Sequence, residues 1–253
     1  MGCSAGKYWT DRGLLHLFSG SVKLTVRSTD KKDKPTFFIS ATRRPSRSNG
    51  ARDPERTRQN LLDAAYREFS HSGYHGASVE QICTRAGVSK QILSHHFGSK
   101  ENAYLAVLEA AYTAFRSNDP KLELNAADPR AALRDFVLFT FDHVRHNRDF
   151  VNLLSGENVN KGRIIRKSER LKSIYDPMIH RIGMLLQAGA EAGLFRPGLD
   201  ARQVYISINA LCFFSISNCH TLSAVLGTDL SDDAALDERR EHVVDFVMAA
   251  ITA

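Results

Sequence analysis

The chain of 253 residues is 43% hydrophobic and 25% charged, a composition typical of a globular protein with one large domain or two small ones. Its four cysteines, Cys3, Cys83, Cys212 and Cys219, form no CxxC pair, which argues against a disulfide framework and against a zinc site. The net charge is +6, but residues 1–52 alone carry +8, from 11 Lys and Arg against 3 Asp. Charge by itself is therefore weak evidence for a nucleic-acid partner.

The apolar stretches are too short for a membrane span or a secretory signal. The longest, at residues 205–214, is interrupted by Ser207 and Asn209 and falls short of the roughly 20 residues that cross a bilayer. Residues 14–18 form the apolar stretch nearest the N-terminus, and it is shorter than a signal-peptide core of about 7–15 residues. We therefore expect a cytoplasmic protein that does not bind membranes.

Residues 1–52 mix Ser, Lys, Arg and turn-forming residues without a sustained hydrophobic period. This composition is typical of a disordered basic tail, although residues 14–26 also allow a marginal pair of strands. Basic arms of this kind lie along phosphates or in the minor groove of DNA, and residues 43–52 are the candidate for such a contact.

Helical periodicity begins at Asp53, which suits an N-cap, and one apolar stripe continues until Gly73 ends the first helix. A second, short helix is expected from Ser78, because Gln81 follows three residues later in a capping-box pattern. It ends at Gly87, since glycine readily adopts the left-handed conformation that stops a helix. These signals predict a long helix followed by one of barely two and a half turns.

Ser89 can cap a third helix that reaches about His95, and Ser99 can cap a longer fourth helix. Two short helices joined by a tight turn at Gly87 make a helix-turn-helix, whose second helix is narrow enough to enter a DNA major groove. Apolar side chains would hold the pair against the protein: Ile82, Ala86, Val88, Leu93 and Phe97.

No later segment shows the alternation of a half-buried strand, so the predicted fold class is all-α. Residues 128–146 repeat the Asp-Pro helix start. Pro177 is expected to break or kink a helix, with Asp176 as a possible new cap. Five further helical stretches are expected: near 149–157, 163–174, 177–192, 200–226 and 233–252.

The segment from Thr57 to Glu109 contains a specific arrangement of residues: Phe69, Gly73, Ser78, Val79, Ile82, Ala86, Gly87, Val88, Ser89, Phe97, Ser99 and Lys100. This pattern resembles the tetracycline-repressor (TetR) family of bacterial transcription regulators. The family pattern has a Gly, a small hydroxyl residue and a Tyr where this chain has Gln91, Ile92 and Ser94. The departure leaves the operator sequence open and removes a tyrosine contact to phosphate.

The resemblance implies an all-helical homodimer with a three-helix DNA-binding domain and a larger domain for ligand binding and dimerisation. We therefore divide the chain into a tail at 1–52, a helix-turn-helix domain at 53–100 and a ligand-binding and dimerisation domain at 101–253. Residues 200–226 and 233–252 would form the dimer interface. The implied function is a repressor that a small-molecule effector releases from its double-stranded operator by shifting the population of dimer conformations.

The candidate DNA contacts lie around the helix-turn-helix. Glutamine can bond adenine through two hydrogen bonds, lysine can reach guanine or phosphate, and isoleucine can contact a thymine methyl group. Adjacent histidines on a helix point about 100° apart, so this pair does not converge on a metal. The candidates are Ser78, Arg85, Ser89, Lys90, Gln91, Ile92, Ser94, His95, His96 and Lys100.

An effector pocket needs apolar walls and a few polar groups that orient the ligand. Candidate wall residues are Phe136, Phe139, Phe150, Met178, Met184 and Phe213, and the candidate polar residues are His143, Asn158 and Asn209. Aromatic residues at helical spacing are also typical of a plain hydrophobic core. No cofactor and no metal are predicted.

Two other classes of function are alternatives to a regulator. A hydrolase that uses Cys or Ser with a histidine is disfavoured, because the chain lacks the G-x-S-x-G, HExxH and P-loop motifs and has no G-x-G-x-x-G after a strand. A helical adaptor that binds only protein would be favoured if the purified chain ignored random duplex DNA at low salt.

Overall fold

The computed structural model describes residues 53–117 and 128–253, and these ranges are helical apart from turns and one isolated antiparallel bridge between Phe195 and Thr252. The predicted tail at 1–52 lies outside the described residues. The helices are α1 (Pro54–Gly76), α2 (Val79–Ala86), α3 (Lys90–Phe97), α4 (Lys100–Ser117), α5 (Pro129–His146), α6 (Arg148–Val159), a 3-10 turn (Ile165–Lys167), α7 (Glu169–Glu191), α8 (Ala201–Ser217), α9 (Cys219–Leu226) and α10 (Asp233–Ile251).

The helix signals at the N-terminal end are confirmed. Asp53 caps α1 by accepting hydrogen bonds from the amides of Glu55 at 3.0 Å and Arg56 at 3.3 Å. Gly73 interrupts α1 with a φ of 67°. Gly87 adopts the left-handed conformation at the end of α2, with φ 67° and ψ 35°. These local signals set the start of α1 and the ends of α1 and α2.

Of the predicted break or kink at Pro177, the break is wrong, because α7 continues through this residue from Glu169 to Glu191. Residues on both sides of it, Leu171 and Met178, are buried, so packing holds the two halves in one helix despite the lost backbone hydrogen bond. The helix expected from residue 163 begins only at Glu169, where the Ser168 hydroxyl accepts the Leu171 amide at 3.2 Å.

The single segment expected at 200–226 consists of two helices, α8 and α9, that meet at Asn218 with a bend of 70°. The Asn218 side-chain amide donates to the carbonyl of Phe214 at 3.1 Å and so closes the end of α8. Among the described helices, none is by itself long and apolar enough to cross a bilayer; α8 and α9 reach that length and hydropathy only together, as this bent pair.

Two hydrophobic clusters organise the described chain. The N-terminal cluster contains residues of α1, α2, α3 and α4. It also includes Phe150 and Leu153 of α6, together with Ile164. The C-terminal cluster joins α5, α7, α8 and α10 around residues such as Phe141 and Val244, which are fully buried. Helix α6 packs against α1 on one side and against α5 and α8 on the other. Helices α4 and α6 therefore connect the helix-turn-helix with the C-terminal part.

Candidate functional site

The helix-turn-helix is formed by α2, the turn at Gly87 and α3. One side of this unit is buried: Ile82 is 0%, Leu93 4% and Phe97 8% exposed. The guanidinium of Arg58 on α1 lies 5.4 Å from the centre of the Phe97 ring. Because three apolar anchors lie on one side of α2 and α3, the opposite side of α3 faces solvent.

The structure places the candidate DNA contacts in two groups. Ile92 and His96 are half-buried, and Ile92 packs against the N-terminal cluster; Ser78 and Lys100 are also half-buried. The remaining candidates are exposed: Arg85, Ser89, Lys90, Gln91, Ser94 and His95. The exposed group shares the outer side of the helix-turn-helix.

Some of these side chains already have partners in the protein. Lys90 Nζ lies 3.1 Å from Glu80 Oε2 in a solvent-exposed ion pair. Lys100 Nζ donates to the carbonyl of His75 at 3.4 Å and lies 5.1 Å from the centre of the Tyr74 ring. An exposed pair of this kind contributes little to stability and can open at low cost, so Lys90 remains able to turn toward a phosphate.

Two serines at helix starts differ in how their hydroxyls are used. The Ser78 hydroxyl accepts the Gln81 amide at 3.4 Å and so caps α2. Ser89 occupies the N-cap position of α3, but its side chain makes no capping hydrogen bond. The exposed Ser89 hydroxyl is therefore at the start of α3, where helix amides favour an anion.

The neighbouring histidines of α3 contact each other edge to face, with ring centres 5.4 Å apart. Within residues 53–117 and 128–253, no group of three or more His, Cys, Asp or Glu side chains is arranged to hold a metal ion. His95 is exposed and His96 is half-buried, so the two rings present different faces to solvent.

Glu68 positions the helix-turn-helix, although it is not among the residues predicted from the sequence. This carboxylate is 3% exposed, and its Oε1 accepts the backbone amide of Ser78 at 3.1 Å. The sequence contains one indication of this role, because Glu68 lies on the apolar stripe of α1. A charged side chain that is buried there requires hydrogen-bond partners.

The candidate pocket residues do not converge on one cavity. Phe136 and Met178 belong to the C-terminal cluster, and Phe213 packs against it while half-buried. Asn158 is exposed and Met184 is 52% exposed. Asn209 is half-buried, and its side-chain amide donates to the Tyr205 carbonyl at 2.8 Å.

His143, Phe139 and Phe150 are the candidates that lie together. The His143 ring is 6.1 Å from Phe139, 5.4 Å from Phe150 and 4.2 Å from Phe115, between ring centres. Burial, followed by the neighbouring positive charges of Arg116 and His146, lowers the pKa of His143 to about 4. His143 is therefore a neutral imidazole at physiological pH.

A group that the sequence did not reveal adjoins these rings, and we call it the Arg116 cluster: Tyr112, Phe115, Arg116, Tyr175 and Tyr205. The guanidinium carbon of Arg116 lies 4.1, 4.9 and 5.7 Å from the ring centres of Phe115, Tyr175 and Tyr205. Arg116 Nη2 donates to the Tyr205 hydroxyl at 3.2 Å. The cluster is assembled from α4, α7 and α8.

On the other side of His143, a cleft of about 350 Å³ opens between α5 and α10. Its lining residues are Phe139, Asp142, His143, Arg145, His146, Asp237 and Arg240. Arg240 pairs with Asp142 at 2.7 Å, and Arg145 pairs with Asp237. The wall formed by Phe139 and His143 thus separates a charged cleft from an aromatic interior.

Comparison with known proteins supports the arrangement seen here. Residues 61–107 match the family model described as bacterial regulatory proteins, tetR family, and residues 129–247 match the one described as tetracyclin repressor-like, C-terminal domain. The HTH-type transcriptional repressor NicS of Pseudomonas putida is 36% identical over 201 residues, which cover 79% of this chain and 95% of NicS. The chain belongs to the TetR family.

Two further matches to transcriptional regulators cover most of the chain. The HTH-type transcriptional regulator RutR of Escherichia coli is 26% identical over 198 residues, covering 76% of this chain and 88% of RutR. A structure described as a transcriptional regulator of Streptomyces coelicolor superposes with a TM-score of 0.59 at 25% identity, covering 77% of this chain and 98% of the other. TetR-family members are dimeric regulators that bind operator DNA and small-molecule effectors, and they are not enzymes.

Proposed function

We propose that this TetR-family protein represses transcription by holding an operator through α3 until an effector releases it. The observation that carries the proposal is the orientation of α3, whose Leu93 and Phe97 are fixed in the core. The opposite side of the helix exposes Lys90, Gln91, Ser94 and His95. Repression is supported by the relative in P. putida, which is named a repressor.

Each candidate contact has a role that its chemistry suits. Gln91 would bond an adenine, and Lys90 would reach a guanine or a phosphate after leaving Glu80. The hydroxyl of Ser89, at the start of α3, would bind a phosphate. The remaining candidates would contact the phosphate backbone or the edges of bases around them: Ser78, Arg85, Ile92, Ser94, His95, His96 and Lys100.

We infer that two chains pair through residues 200–226 and 233–252. Support comes from large apolar side chains that stay exposed on α8 and α10: Ile206 is 55%, Phe214 56% and Phe246 54% exposed. Exposed apolar surface of this kind marks an interface between proteins. In this scheme residues 53–100 bind DNA, and residues 101–253 bind the effector and dimerise.

The proposed response to an effector depends on α4. This helix carries Lys100 beside the helix-turn-helix and, at its other end, Tyr112, Phe115 and Arg116 in the Arg116 cluster. An effector bound at the far end that favours one orientation of α4 shifts the population toward dimers whose α3 helices no longer fit successive major grooves, about 34–36 Å apart.

Selection of duplexes from a random pool by the full chain tests the proposal. We expect enriched sites with two related half-sites whose centres are about one helical turn, 34–36 Å, or a multiple of it apart. A Lys90→Ala/Gln91→Ala variant should lose the enrichment, whereas Lys172→Ala, which changes an exposed ion pair on α7, should keep it. Failure to bind any duplex even at low salt would contradict the proposal.

A further inference from the structure

The segment that connects α6 to α7 is strongly basic, and we call residues 160–167 the basic connector. These eight residues include four cations and no acid: Lys161, Arg163, Arg166 and Lys167. All four residues are exposed. Residues 101–253 as a whole hold 17 Lys and Arg against 20 Asp and Glu, so the positive charge is a local property of the connector.

The basic connector adjoins the helix-turn-helix domain. Asn160 Oδ1 lies 3.2 Å from Nε2 of His75, near the end of α1. The guanidinium of Arg163 lies 5.9 Å from the centre of the Tyr74 ring, and Lys100 Nζ lies 5.1 Å from the same ring. Lys100 is one of the candidate DNA contacts at the start of α4. The positive charge of the connector therefore continues the surface on which Lys100 lies.

A buried carboxylate fixes the backbone of the connector. Glu157 is 3% exposed, and its Oε1 accepts the amides of Ile164 and Ile165, each at 2.8 Å. Ile164 is itself fully buried in the N-terminal cluster. The four cations are thus carried by a segment that is already ordered, which lowers the entropy cost of placing them against a second surface.

Two of the four cations have an acidic partner and two do not. Glu101 pairs with Arg163 at 3.5 Å and also with Lys167. Among the residues that the structure describes, neither Lys161 nor Arg166 pairs with a carboxylate. Arg166 instead donates to two carbonyls of its own turn, at 3.1 and 2.6 Å. These bonds use two of the five N–H donors of the guanidinium, and the others can bond an external anion.

Lys161 has an unfavourable backbone conformation. Its φ is 59°, the one positive value at a residue other than glycine in the ranges that the structure describes. Glycine and asparagine adopt this left-handed region more readily than lysine does. Backbone strain of this kind is concentrated at functional sites, and here the strained residue is an exposed lysine beside a DNA-binding domain.

We propose that the basic connector is a second DNA-binding surface, in which Lys161 and Arg166 bind backbone phosphates beside the half-site that α3 contacts. The proposal rests on the operator binding proposed above and extends it into the C-terminal part of the chain. Contacts to phosphates add affinity and fix the position of a protein on the duplex without reading a base. The connector therefore strengthens binding to all sequences alike.

Fluorescence titrations of the full chain with the selected duplex at several salt concentrations test this proposal. Lys161→Asn/Arg166→Gln removes both charges, and asparagine suits the left-handed backbone. A dimer then loses four phosphate contacts, so the slope of log affinity against log salt should fall by about three to four. Affinity at about 50 mM salt should fall by about 10- to 100-fold, and the base preference should not change.

Two matched variants control for net charge and for side-chain geometry. Arg196→Gln/Arg202→Gln removes the same charge from exposed residues. Both follow the far end of α7, whose 23 residues span about 34 Å, so this variant should keep the wild-type slope. Lys161→Arg/Arg166→Lys retains both charges and should also bind like the wild type. Equal slopes in the wild type and Lys161→Asn/Arg166→Gln, or an equal fall in both neutralised variants, would overturn the proposal.

Hydroxyl-radical footprints separate this proposal from the function on which it rests. The wild type should protect backbone positions beside each half-site, and Lys161→Asn/Arg166→Gln should lose this protection while it still protects the half-sites. Identical footprints on the selected duplex contradict the role of the connector alone, whereas failure to bind any duplex contradicts both proposals. Binding to phosphatidylglycerol vesicles that requires the two charges, without any effect on DNA, would assign the connector to a lipid surface instead.

Discussion

The carboxylate of Glu68 accepts the backbone amide of Ser78 at 3.1 Å from a position where Glu68 is only 3% exposed. This hydrogen bond joins the middle of α1 to the residue that caps α2. Since α3 follows α2 after a tight turn, the direction in which α3 points depends on this contact. A buried carboxylate in α1 therefore helps to orient a DNA-binding helix that it does not touch.

Replacement of this carboxylate should affect stability and DNA binding together. Glu68→Ala leaves the Ser78 amide without its acceptor, and we expect a loss of about 1–3 kcal/mol in the free energy of unfolding, measured by urea denaturation. Operator affinity should also fall. Glu68→Gln retains an acceptor oxygen and should recover most of both losses; equal damage by Ala and Gln would show that the negative charge, rather than the hydrogen bond, matters.

The ion pair of Lys90 and Glu80 predicts opposite effects on DNA affinity. If Lys90 binds a phosphate, Lys90→Ala should weaken binding to all sequences alike and reduce the slope of log affinity against log salt by about one. Glu80→Gln removes a negative charge beside the phosphates and should strengthen binding to all sequences. Gln91→Ala, by contrast, should cost about 1–3 kcal/mol at one base position. Fluorescence titrations at several salt concentrations distinguish these outcomes. A loss confined to one base position in Lys90→Ala would assign Lys90 to a guanine, and a loss spread over all sequences in Gln91→Ala would contradict its assignment to a base.

Two helical glycines should respond in opposite directions to alanine. A Cβ at Gly189 would lie 1.9 Å from Cδ2 of Phe195, a ring that is 1% exposed, whereas a Cβ at Gly156 would meet no atom within 4 Å. We expect Gly189→Ala to destabilise the protein by about 1–3 kcal/mol and Gly156→Ala to stabilise it by roughly 0.5–1 kcal/mol. Thermal unfolding checks both; stabilisation by Gly189→Ala would mean that Phe195 moves freely.

Burial of His143 predicts a pH dependence of stability. Its pKa is lowered to about 4 from an ordinary 6.5, so below pH 6.5 the unfolded chain takes up a proton that the folded chain refuses. Stability therefore falls as the pH drops from 6.5 toward 4, by about 2 kcal/mol at pH 5. Urea unfolding at pH 7.5 and 5.0 measures this effect. Between these two pH values, the free energy of unfolding of His143→Phe should fall by about 2 kcal/mol less than that of the wild type. His220→Gln, a change at an exposed histidine, is the control and should behave as wild type.

The exposed apolar side of α8 predicts the oligomeric state. Phe214→Glu should weaken dimerisation by about 2 kcal/mol or more, the range of central aromatic residues in interfaces, as measured by sedimentation at several concentrations. Val159→Glu introduces the same charge at a site on α6 that is 83% exposed and should leave the dimer intact. If both variants dimerise like the wild type, the interface lies elsewhere.

Local signals were enough to predict the helix-turn-helix. Capping by Ser78 and the left-handed turn at Gly87 depend on residues within one or two turns, so the sequence shows them directly. Continuity at Pro177 and the bend at Asn218 depend instead on packing against distant helices, which a local pattern does not contain. The periodicity of single helices therefore predicts the all-helical fold, but it does not predict the start of α7 at Glu169, its continuity at Pro177 or the bend at Asn218.

The interior of the C-terminal part was much less predictable. Phe139, Phe150 and His143 were proposed from their types alone, and the structure brings these three together. Arg116 and Tyr205 are in contact but lie on α4 and α8, far apart in the sequence. No periodicity or motif relates residues that meet only through tertiary packing, so the residues of the Arg116 cluster could not be selected in advance.

The unused hydroxyl at the start of α3 has a consequence for how the helix is stabilised. The first amides of any helix have no acceptor within it, and Ser89 supplies none through its side chain. The free protein thus leaves the first turn of its eight-residue helix α3 without a side-chain cap. In the proposed complex a phosphate of the operator would supply the missing acceptor, and DNA would then be a structural component of α3 as well as its target.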